Sequence, residues 1–160
     1  MQIANEGPDA EGKIRRVISE AFGRPNEAIL VDELRRSGDL IASRVALDGT
    51  DVLGHAALSR LRSPAGCVAL APVAVKAARQ RQGIGSALVQ DCIAIARRRG
   101  HSMIFVLGDP NFYRRFGFTA EATRPFASQF SGRHLMAIQF GDIIPPTAPL
   151  DYAEPFDALE

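Results

Sequence analysis

Residues 70–88 read Leu70-Ala-Pro-Val-Ala-Val-Lys-Ala-Ala-Arg-Gln80-Arg-Gln-Gly-Ile-Gly-Ser-Ala-Leu88, and the rest of the chain is arranged around this segment. The apolar run through Val75 is typical of a buried strand. A basic turn, the pair Gly83-x-Gly85 and a long helix follow. Because glycine has no Cβ, a ligand can approach the backbone closely at this turn. The N–H groups of the first helical turn and the positive end of the helix dipole therefore predict an anion site, for a phosphate or pyrophosphate.

Charge is distributed unevenly around that turn. The formal net charge is only +1, but residues 76–115 hold eight bases and two acids, whereas residues 141–160 hold five acids and no base. A basic segment at 76–115 beside an anion-binding turn favours a polyanionic ligand. The length of 160 residues, with 46% hydrophobic and 23% charged residues, is typical of one ordinary globular domain.

Composition also argues against several classes of protein. No apolar run approaches the roughly 20 residues that cross a bilayer, and we expect neither a membrane nor a nucleic acid as partner. Residues 1–7 lack the basic-then-apolar pattern of a leader, so the expected location is cytoplasmic. Cys67 and Cys92 are too few for a disulfide framework and are predicted to pack in the core. The three histidines are scattered without ligand spacing, so we expect no metal site.

Before this segment, hydrophobic periodicity predicts two helices and an antiparallel meander. Apolar residues recur at helical spacing in the first part of the chain, and Asp48-Gly49 is typical of a hairpin turn. The predicted elements are a short edge strand at 1–5, helices at 9–22 and 27–36, and strands at 40–47, 52–61 and 67–75.

After the turn, a helix over 83–99 leads to a continuous apolar strand at 103–107. Strand, helix and strand of this length predict a parallel pair with a right-handed crossover. A short helix should start at Asp109 and end at Gly117, with Tyr113 at a cleft edge. Further strands are expected at 118–122 and 135–140.

These elements together predict an α/β (α+β) fold with a mixed central sheet flanked by helices. The sheet should combine an antiparallel N-terminal meander with a parallel strand pair. We expect one domain over residues 1–141. Residues 142–160 form a Pro-rich acidic C-terminal tail, predicted to be extended or partly ordered and solvated rather than folded over a cleft.

Two familiar phosphate-binding motifs fit the glycine pair poorly. A mononucleotide P-loop needs Lys followed by Ser or Thr directly after its last glycine, whereas Ser86 follows Gly85 here. A dinucleotide fold needs a third small residue where Leu88 stands, and its first glycine directly after the strand. Asp109 does lie near the end of the next strand, where a ribose-binding acid would be, so this alternative stays open.

A third interpretation comes from a resemblance. Gln80-Arg-Gln-Gly-Ile-Gly85 resembles the Gln/Arg-x-x-Gly-x-Gly/Ala motif of the GNAT acetyltransferase superfamily, which holds the pyrophosphate of acetyl-coenzyme A. Tyr113-Arg-Arg-Phe-Gly-Phe118 resembles the Tyr-x-x-x-Gly-Phe signature of the same superfamily. Residues 70–75 and 107–118 together look like the YhbS-like branch of predicted N-acetyltransferases. The resemblance covers roughly residues 1–140.

That resemblance implies a binding site for acetyl-coenzyme A as cosubstrate. By it, the parallel strands splay apart after Val75 and Leu107 and hold the pantetheine arm, which hydrogen-bonds the backbone of Val73 and Val75. It also implies that superfamily members often dimerise, so a homodimer is a candidate assembly. The implied cofactor contacts are Val73, Ala74, Val75, Gln80, Arg81, Gln82, Gly83, Ile84, Gly85, Ser86, Asn111 and Tyr113.

For the chemistry, Tyr113 matches the superfamily's general acid, which protonates the departing thiolate. The central strand carries no acid, so Glu27 and Glu33 on the early helix are the candidate general bases. Neither cysteine has a plausible base partner, which favours direct attack by the amine without an acyl-enzyme. The acceptor would be an unidentified small-molecule or peptide amine. The alternative is a non-catalytic acetyl-coenzyme A-binding sensor or partner module, which would bind the cofactor without turnover.

Overall fold

The structure is a computed structural model and describes residues 1–159. Its strands are β1 (Gln2–Asn5), β2 (Leu40–Asp48), β3 (Asp51–Arg60), β4 (Cys67–Val75), β5 (Met103–Leu107) and β6 (Leu135–Gln139). Its α-helices are α1 (Glu11–Phe22), α2 (Asn26–Ser37), α3 (Ile84–Arg98) and α4 (Pro110–Tyr113). Short 3₁₀ turns lie at Ala77–Arg79, Arg114–Phe116, Glu121–Thr123 and Glu154–Ala158.

The six strands form one sheet in the order β1-β2-β3-β4-β5-β6. Every neighbouring pair is antiparallel except β4 and β5, which are parallel and are joined by α3. The predicted fold class is therefore confirmed, including the meander and the parallel pair. Within the described part of the chain, none of the helices combines the length and the apolar character that crossing a membrane requires.

Helices cover both faces of the sheet, because each helix has one apolar side. α1 and α2 bury such residues as Ile18 and Val31 against one face. α3 buries Leu88 and Cys92 against the other face. Cys67 lies in a third cluster with Phe105, so both cysteines pack in the core as predicted.

The strand predicted over 118–122 is wrong. Thr119 makes only an isolated bridge to Ala137 of β6, and a 3₁₀ turn follows at Glu121–Thr123. The hydroxyl of Thr119 accepts a hydrogen bond from the Ala122 N–H at 3.2 Å. Such a local side-chain bond offers the backbone an alternative to a strand ladder. The chain therefore turns after Thr119 instead of continuing to pair with β6.

The expectation of a solvated tail is also corrected. Asp151 and Ser63 exchange backbone hydrogen bonds of 2.8 and 3.2 Å, and Ala153 is buried against Leu30 and Leu34 of α2. Apolar side chains are interspersed with the prolines and acids of this segment, and their burial offsets the entropy of ordering it. Residues 150–159, which we call the C-terminal segment, therefore fold back over the domain.

A buried polar network lies where β1, β2 and β3 pass under α2. The ring of His55 is fully buried, with Nε2 2.8 Å from the Ser43 hydroxyl. That hydroxyl donates to Glu6, which also accepts two hydrogen bonds from Arg35 at 2.8 and 2.9 Å. Burial lowers the pKa of His55 to about 4, against an ordinary 6.5, so the imidazole is neutral at pH 7. The Arg35 and Ser43 hydrogen bonds lower the pKa of Glu6 despite its burial.

We expect stability to fall as the pH drops below 6.5. The unfolded chain then binds a proton at His55 that the folded chain resists until about pH 4, which costs about 2 kcal/mol by pH 5. Urea unfolding at pH 7.5 and pH 5 measures this difference. His55→Gln should lose most of the slope, the remainder coming from His101, whose pKa burial also lowers. An unchanged slope in the variant would contradict the assignment to His55.

Candidate active site

Two adjoining cavities lie near the start of α3, beside the C-terminal parts of β4 and β5. The turn cavity, about 650 Å³, is formed by the turn before α3 together with residues 73–75 of β4. The gap cavity, about 760 Å³, is formed by the facing parts of β4 and β5, by α1 and α2, and by the C-terminal segment. Phe22, Val73 and Tyr113 line both cavities. A ligand in one cavity can therefore meet a ligand in the other at Tyr113.

The gap between β4 and β5 opens earlier than predicted. The two strands pair only from Cys67 with Met103 to Ala69 with Phe105, not as far as Val75 and Leu107. Pro72 has no N–H to donate to a neighbouring strand. β4 also carries one extra residue between Leu70 and Val73 relative to β3, a bulge that bends the strand.

Val73 and Val75 present their backbone groups to this gap. The Lys76 N–H donates to Leu53 O of β3 at 2.8 Å. Because alternate residues of an antiparallel strand face the partner strand, Ala74 also faces β3, whereas Val73 and Val75 face away from it. The Val75 carbonyl accepts a hydrogen bond from the Gln80 side chain at 3.1 Å. The N–H groups of Val73 and Val75 thus point away from β3, and both residues line the turn cavity.

The start of α3 forms an open row of backbone amides. Gly83 precedes the helix with φ 83°, and the first intrahelical bond runs from Ala87 N to Gly83 O at 3.0 Å. The amides of residues 84–86 come before it and have no place in the helical ladder. A Cβ on Gly85 would project toward Val75, 3.5 Å from its Cγ2. The missing side chain therefore leaves the turn cavity open to this backbone.

Arg81 and Arg115 bring positive charge to the turn cavity. Arg81 has φ 64°, an uncommon conformation for a residue with a side chain, which is typical of functional turns. Arg115 was not assigned a role by the sequence analysis. Its guanidinium lies 4.9 Å from the centre of the Phe112 ring, and Nη2 is 3.4 Å from the Ser86 hydroxyl. The signal that could have indicated it was the basic excess of residues 76–115.

Tyr113 stands at the junction of the two cavities. Its ring packs edge-on against Phe112 and Phe118, with centroids 4.9 and 5.6 Å apart. Burial raises the pKa of Tyr113 to about 12, so the phenol keeps its proton at neutral pH. A Cβ on Gly108 would lie 2.5 Å from Cε2 of this ring. Glycine at 108 is therefore required for the ring to occupy this place, which the sequence analysis missed.

The two candidate bases are placed differently. Glu27 is buried, lines the gap cavity and accepts a hydrogen bond from Arg24 Nε at 2.9 Å. Glu33 is exposed, pairs with Arg36 and lines neither cavity. The structure thus brings Glu27 to the site and leaves Glu33 outside it.

Three of the predicted cofactor residues do not line either cavity with the rest. Gln82 accepts a hydrogen bond from Arg79 at 3.0 Å. The Ile84 side chain is buried in the core, so only its amide belongs to the turn. Asn111 serves the start of α4, with its N–H donating to Asp109 at 2.9 Å. Across residues 1–159, His, Cys, Asp and Glu side chains form no group of three or more that could hold a metal ion.

Comparison with known proteins identifies the family of the chain. The sequence matches the acetyltransferase (GNAT) family over residues 12–118. It is 30% identical over 136 residues to the uncharacterized N-acetyltransferase YhbS of Escherichia coli strain K12, covering 82% of this chain and 79% of that protein.

Solved structures show the same fold over nearly the whole chain. The Escherichia coli YhbS structure in complex with CoA has a TM-score of 0.90 and 28% identity, covering 99% of this chain and 93% of that one. A GNAT acetyltransferase from Brucella melitensis in complex with acetyl-CoA has a TM-score of 0.83 and 33% identity, covering 98% and 97%. The chain therefore belongs to the GNAT acetyltransferase family and is a homologue of YhbS.

Proposed function

We propose that this protein is an N-acetyltransferase that moves the acetyl group of acetyl-coenzyme A to a primary amine by direct attack. One observation carries the proposal: a protonated phenol, Tyr113, lies where an amide-lined turn and an apolar gap meet. Acyl transfer from a thioester needs an anion-binding turn for the carrier, a channel for its arm and an acid for the departing sulfur. The two cavities and Tyr113 supply these three parts.

The turn cavity would hold the pyrophosphate of the cosubstrate. Backbone amides at a helix N-terminus attract phosphate oxygens, and the side chains of Arg81 and Arg115 add charge-assisted bonds. The N–H groups of Val73 and Val75 would bind the amides of the pantetheine arm, which enters the gap beside β4. An N–H at this place would also polarise the thioester carbonyl.

In the transfer step the amine nitrogen bonds to the thioester carbonyl carbon and the carbon–sulfur bond breaks. Tyr113 donates its phenolic proton to the departing thiolate, which releases coenzyme A as the free thiol. The amine loses its proton to Glu27, directly or through water, because Glu27 is the candidate base that lines the gap cavity. Holding both reactants in adjoining cavities supplies much of the rate advantage.

The proposal also covers the location of the protein in the cell and its oligomeric state. Cys67 and Cys92 are free and buried, which is compatible with a reducing, cytoplasmic location. The homodimer implied by the resemblance stays a prediction.

The test combines calorimetry with a thiol-release assay. We expect coenzyme A to bind the protein and free thiol to appear when acetyl-coenzyme A is offered with a panel of primary amines. Binding without turnover of any amine would favour the non-catalytic sensor module instead. Absence of coenzyme A binding at millimolar ligand, or thermal stabilisation by NAD in its place, would overturn the proposed cosubstrate.

A further inference from the structure

We propose that the acceptor is a primary amine carried on an apolar group of aromatic-ring size and lacking a carboxylate, and that the C-terminal segment forms the wall that selects it. The inference rests on the proposed acetyl transfer, since it concerns the gap cavity on the far side of Tyr113 from the turn. Three independent features of this cavity support it: exposed apolar side chains, an aromatic wall and an excess of acids.

Large apolar side chains are left exposed in this cavity. Phe22, Leu107 and Phe130 have 42, 47 and 40% of their surface exposed, and all three line the gap cavity. They come from α1, from the end of β5 and from the loop before β6, so no single irregular loop accounts for their exposure. Exposed apolar surface gathered in one concavity is typical of a binding site, because an apolar occupant removes it from water.

One wall of the cavity is aromatic and firmly anchored. Tyr152 packs against Phe130 at a centroid distance of 6.1 Å with planes at 69°, and against Phe156 at 5.0 Å. Phe156 and Leu159 in turn pack with the buried Leu30 of α2. Aromatic faces and edges of this kind suit a further ring, in offset or edge-on contact. The C-terminal segment therefore offers a fixed surface for an aromatic-sized group.

The charges around the cavity favour an ammonium group over a carboxylate. Among the described residues that line it, Arg24 alone is basic, and it pairs with Glu27. Arg62, which does not line the cavity, pairs with both Asp151 and Asp157 at 2.9 and 3.2 Å. The acids that line the cavity are Glu27, Asp109, Asp151 and Asp157. The described lining thus holds one base against four acids. Acids remain in excess by two even when Arg62, which pairs with two of them, is counted, so a cationic amine is attracted and an added carboxylate is repelled.

The same lining disfavours a polyhydroxylated amine. Uncharged polar side chains are represented in it by Ser128 and Gln129, beside the Tyr hydroxyls. The carboxylates can accept hydrogen bonds from some hydroxyl groups of an amino sugar, but the exposed Phe22, Leu107 and Phe130 offer the others no partner, and unpaired buried polar groups are costly.

Matched amines test the proposal. With acetyl-coenzyme A, we expect kcat/KM for 2-phenylethylamine to exceed by about tenfold or more that for phenylalanine, which adds a carboxylate, and that for ethylamine, which lacks the ring. Equal or better turnover of phenylalanine, ethylamine or glucosamine would overturn the inference while leaving acetyl transfer intact.

A binding measurement separates this inference from the proposed function. Calorimetry of 2-phenylethylamine and of phenylalanine is performed on protein saturated with coenzyme A, where no transfer can occur. A tenfold preference for 2-phenylethylamine in binding, about the ratio expected above, supports the inference even if no amine releases thiol, an outcome that would count against the transferase alone. Absence of that preference overturns the inference.

A variant pair locates the ring. We expect Phe130→Ala to raise the KM for 2-phenylethylamine about tenfold, a much larger change than in the KM for ethylamine, which has no ring to contact this wall. Ile143→Ala removes a side chain that is 84% exposed and outside the gap cavity, and should change none of these values. An equal effect of Phe130→Ala on both amines would show that the ring does not bind at this wall.

Discussion

Tyr113→Phe is expected to lower kcat for acetyl transfer by about 10²-fold or more. The variant keeps the ring that packs against Phe112 and Phe118 and removes only the hydroxyl. Without that proton donor, the departing sulfur leaves as a thiolate in the buried surroundings of Tyr113, where charge is poorly stabilised. A steady-state assay of thiol release measures kcat. Calorimetry measures the Kd for coenzyme A, which should change less than about twofold because no phosphate contact is lost.

Tyr152→Phe is the matched comparison for this prediction. It removes the hydroxyl of the other tyrosine, whose pKa burial also raises to about 12 and which lines the gap cavity from the C-terminal segment. Its effect should appear in the KM for the acceptor rather than in kcat. A Tyr113→Phe enzyme with unchanged kcat, or equal kcat losses in both variants, would show that Tyr113 is not the acid.

Gly108→Ala is expected to lower kcat about tenfold or more by displacing the Tyr113 ring. The new Cβ would lie 2.5 Å from Cε2 of that ring, closer than real Cβ atoms approach, and 3.1 Å from Cδ2, which is a tight contact. The backbone cannot easily yield, because His134 accepts the Gly108 N–H at 2.9 Å and its ring nitrogen lies 3.1 Å from Gly108 O. The ring must therefore move, and the phenol moves with it.

The double variant shows whether Gly108 acts through Tyr113. Gly108→Ala combined with Tyr113→Phe should be no slower than Tyr113→Phe alone, since the misplaced hydroxyl is already absent. The Kd for coenzyme A should hold in all three variants. Gly12→Ala, on the surface of α1 with nothing within 4 Å of the new Cβ, is the matched control and should keep full activity. Additive losses in the double variant would instead indicate general damage to the loop.

Most elements of the fold could be predicted because their signals are local. The apolar stripe of α3 and the glycine at its start specify a helix with an open N-terminus through neighbours within a few residues. The same holds for the run Met103–Leu107 and for the Asp109 cap of α4. The strand expected at 118–122 failed because one hydroxyl, that of Thr119, redirected the backbone.

The site was predicted unevenly for the same reason. Tyr113 and the glycine pair carry motif signals, and the structure places them together on two adjoining cavities, although the catalytic role of Tyr113 stays a prediction. Glu27 and Glu33 were not told apart, although Glu27 lies three, four and seven residues before Leu30, Val31 and Leu34 and so shares the buried side of α2. Periodicity gives that side, but only the folded chain shows that it borders the gap. Arg115 and Gly108 were missed since their importance lies in contacts with Ser86 and Tyr113.

Local patterns along the chain were thus enough to predict the α-helices and all six observed strands, and the resemblance of two motifs indicated the family that the comparisons show. The anion-binding role of the turn before α3 stays a prediction. The folded chain alone decided that β4 and β5 separate after Ala69. It also decided that Glu27 lines the gap cavity and that the C-terminal segment forms one of its walls. The physical reason is how far apart along the chain the interacting residues lie. Periodicity, capping and glycine conformation depend on residues a few positions apart, whereas a cavity is made by segments more than a hundred residues apart, such as Glu27 and Tyr152, whose meeting depends on the packing of the whole core.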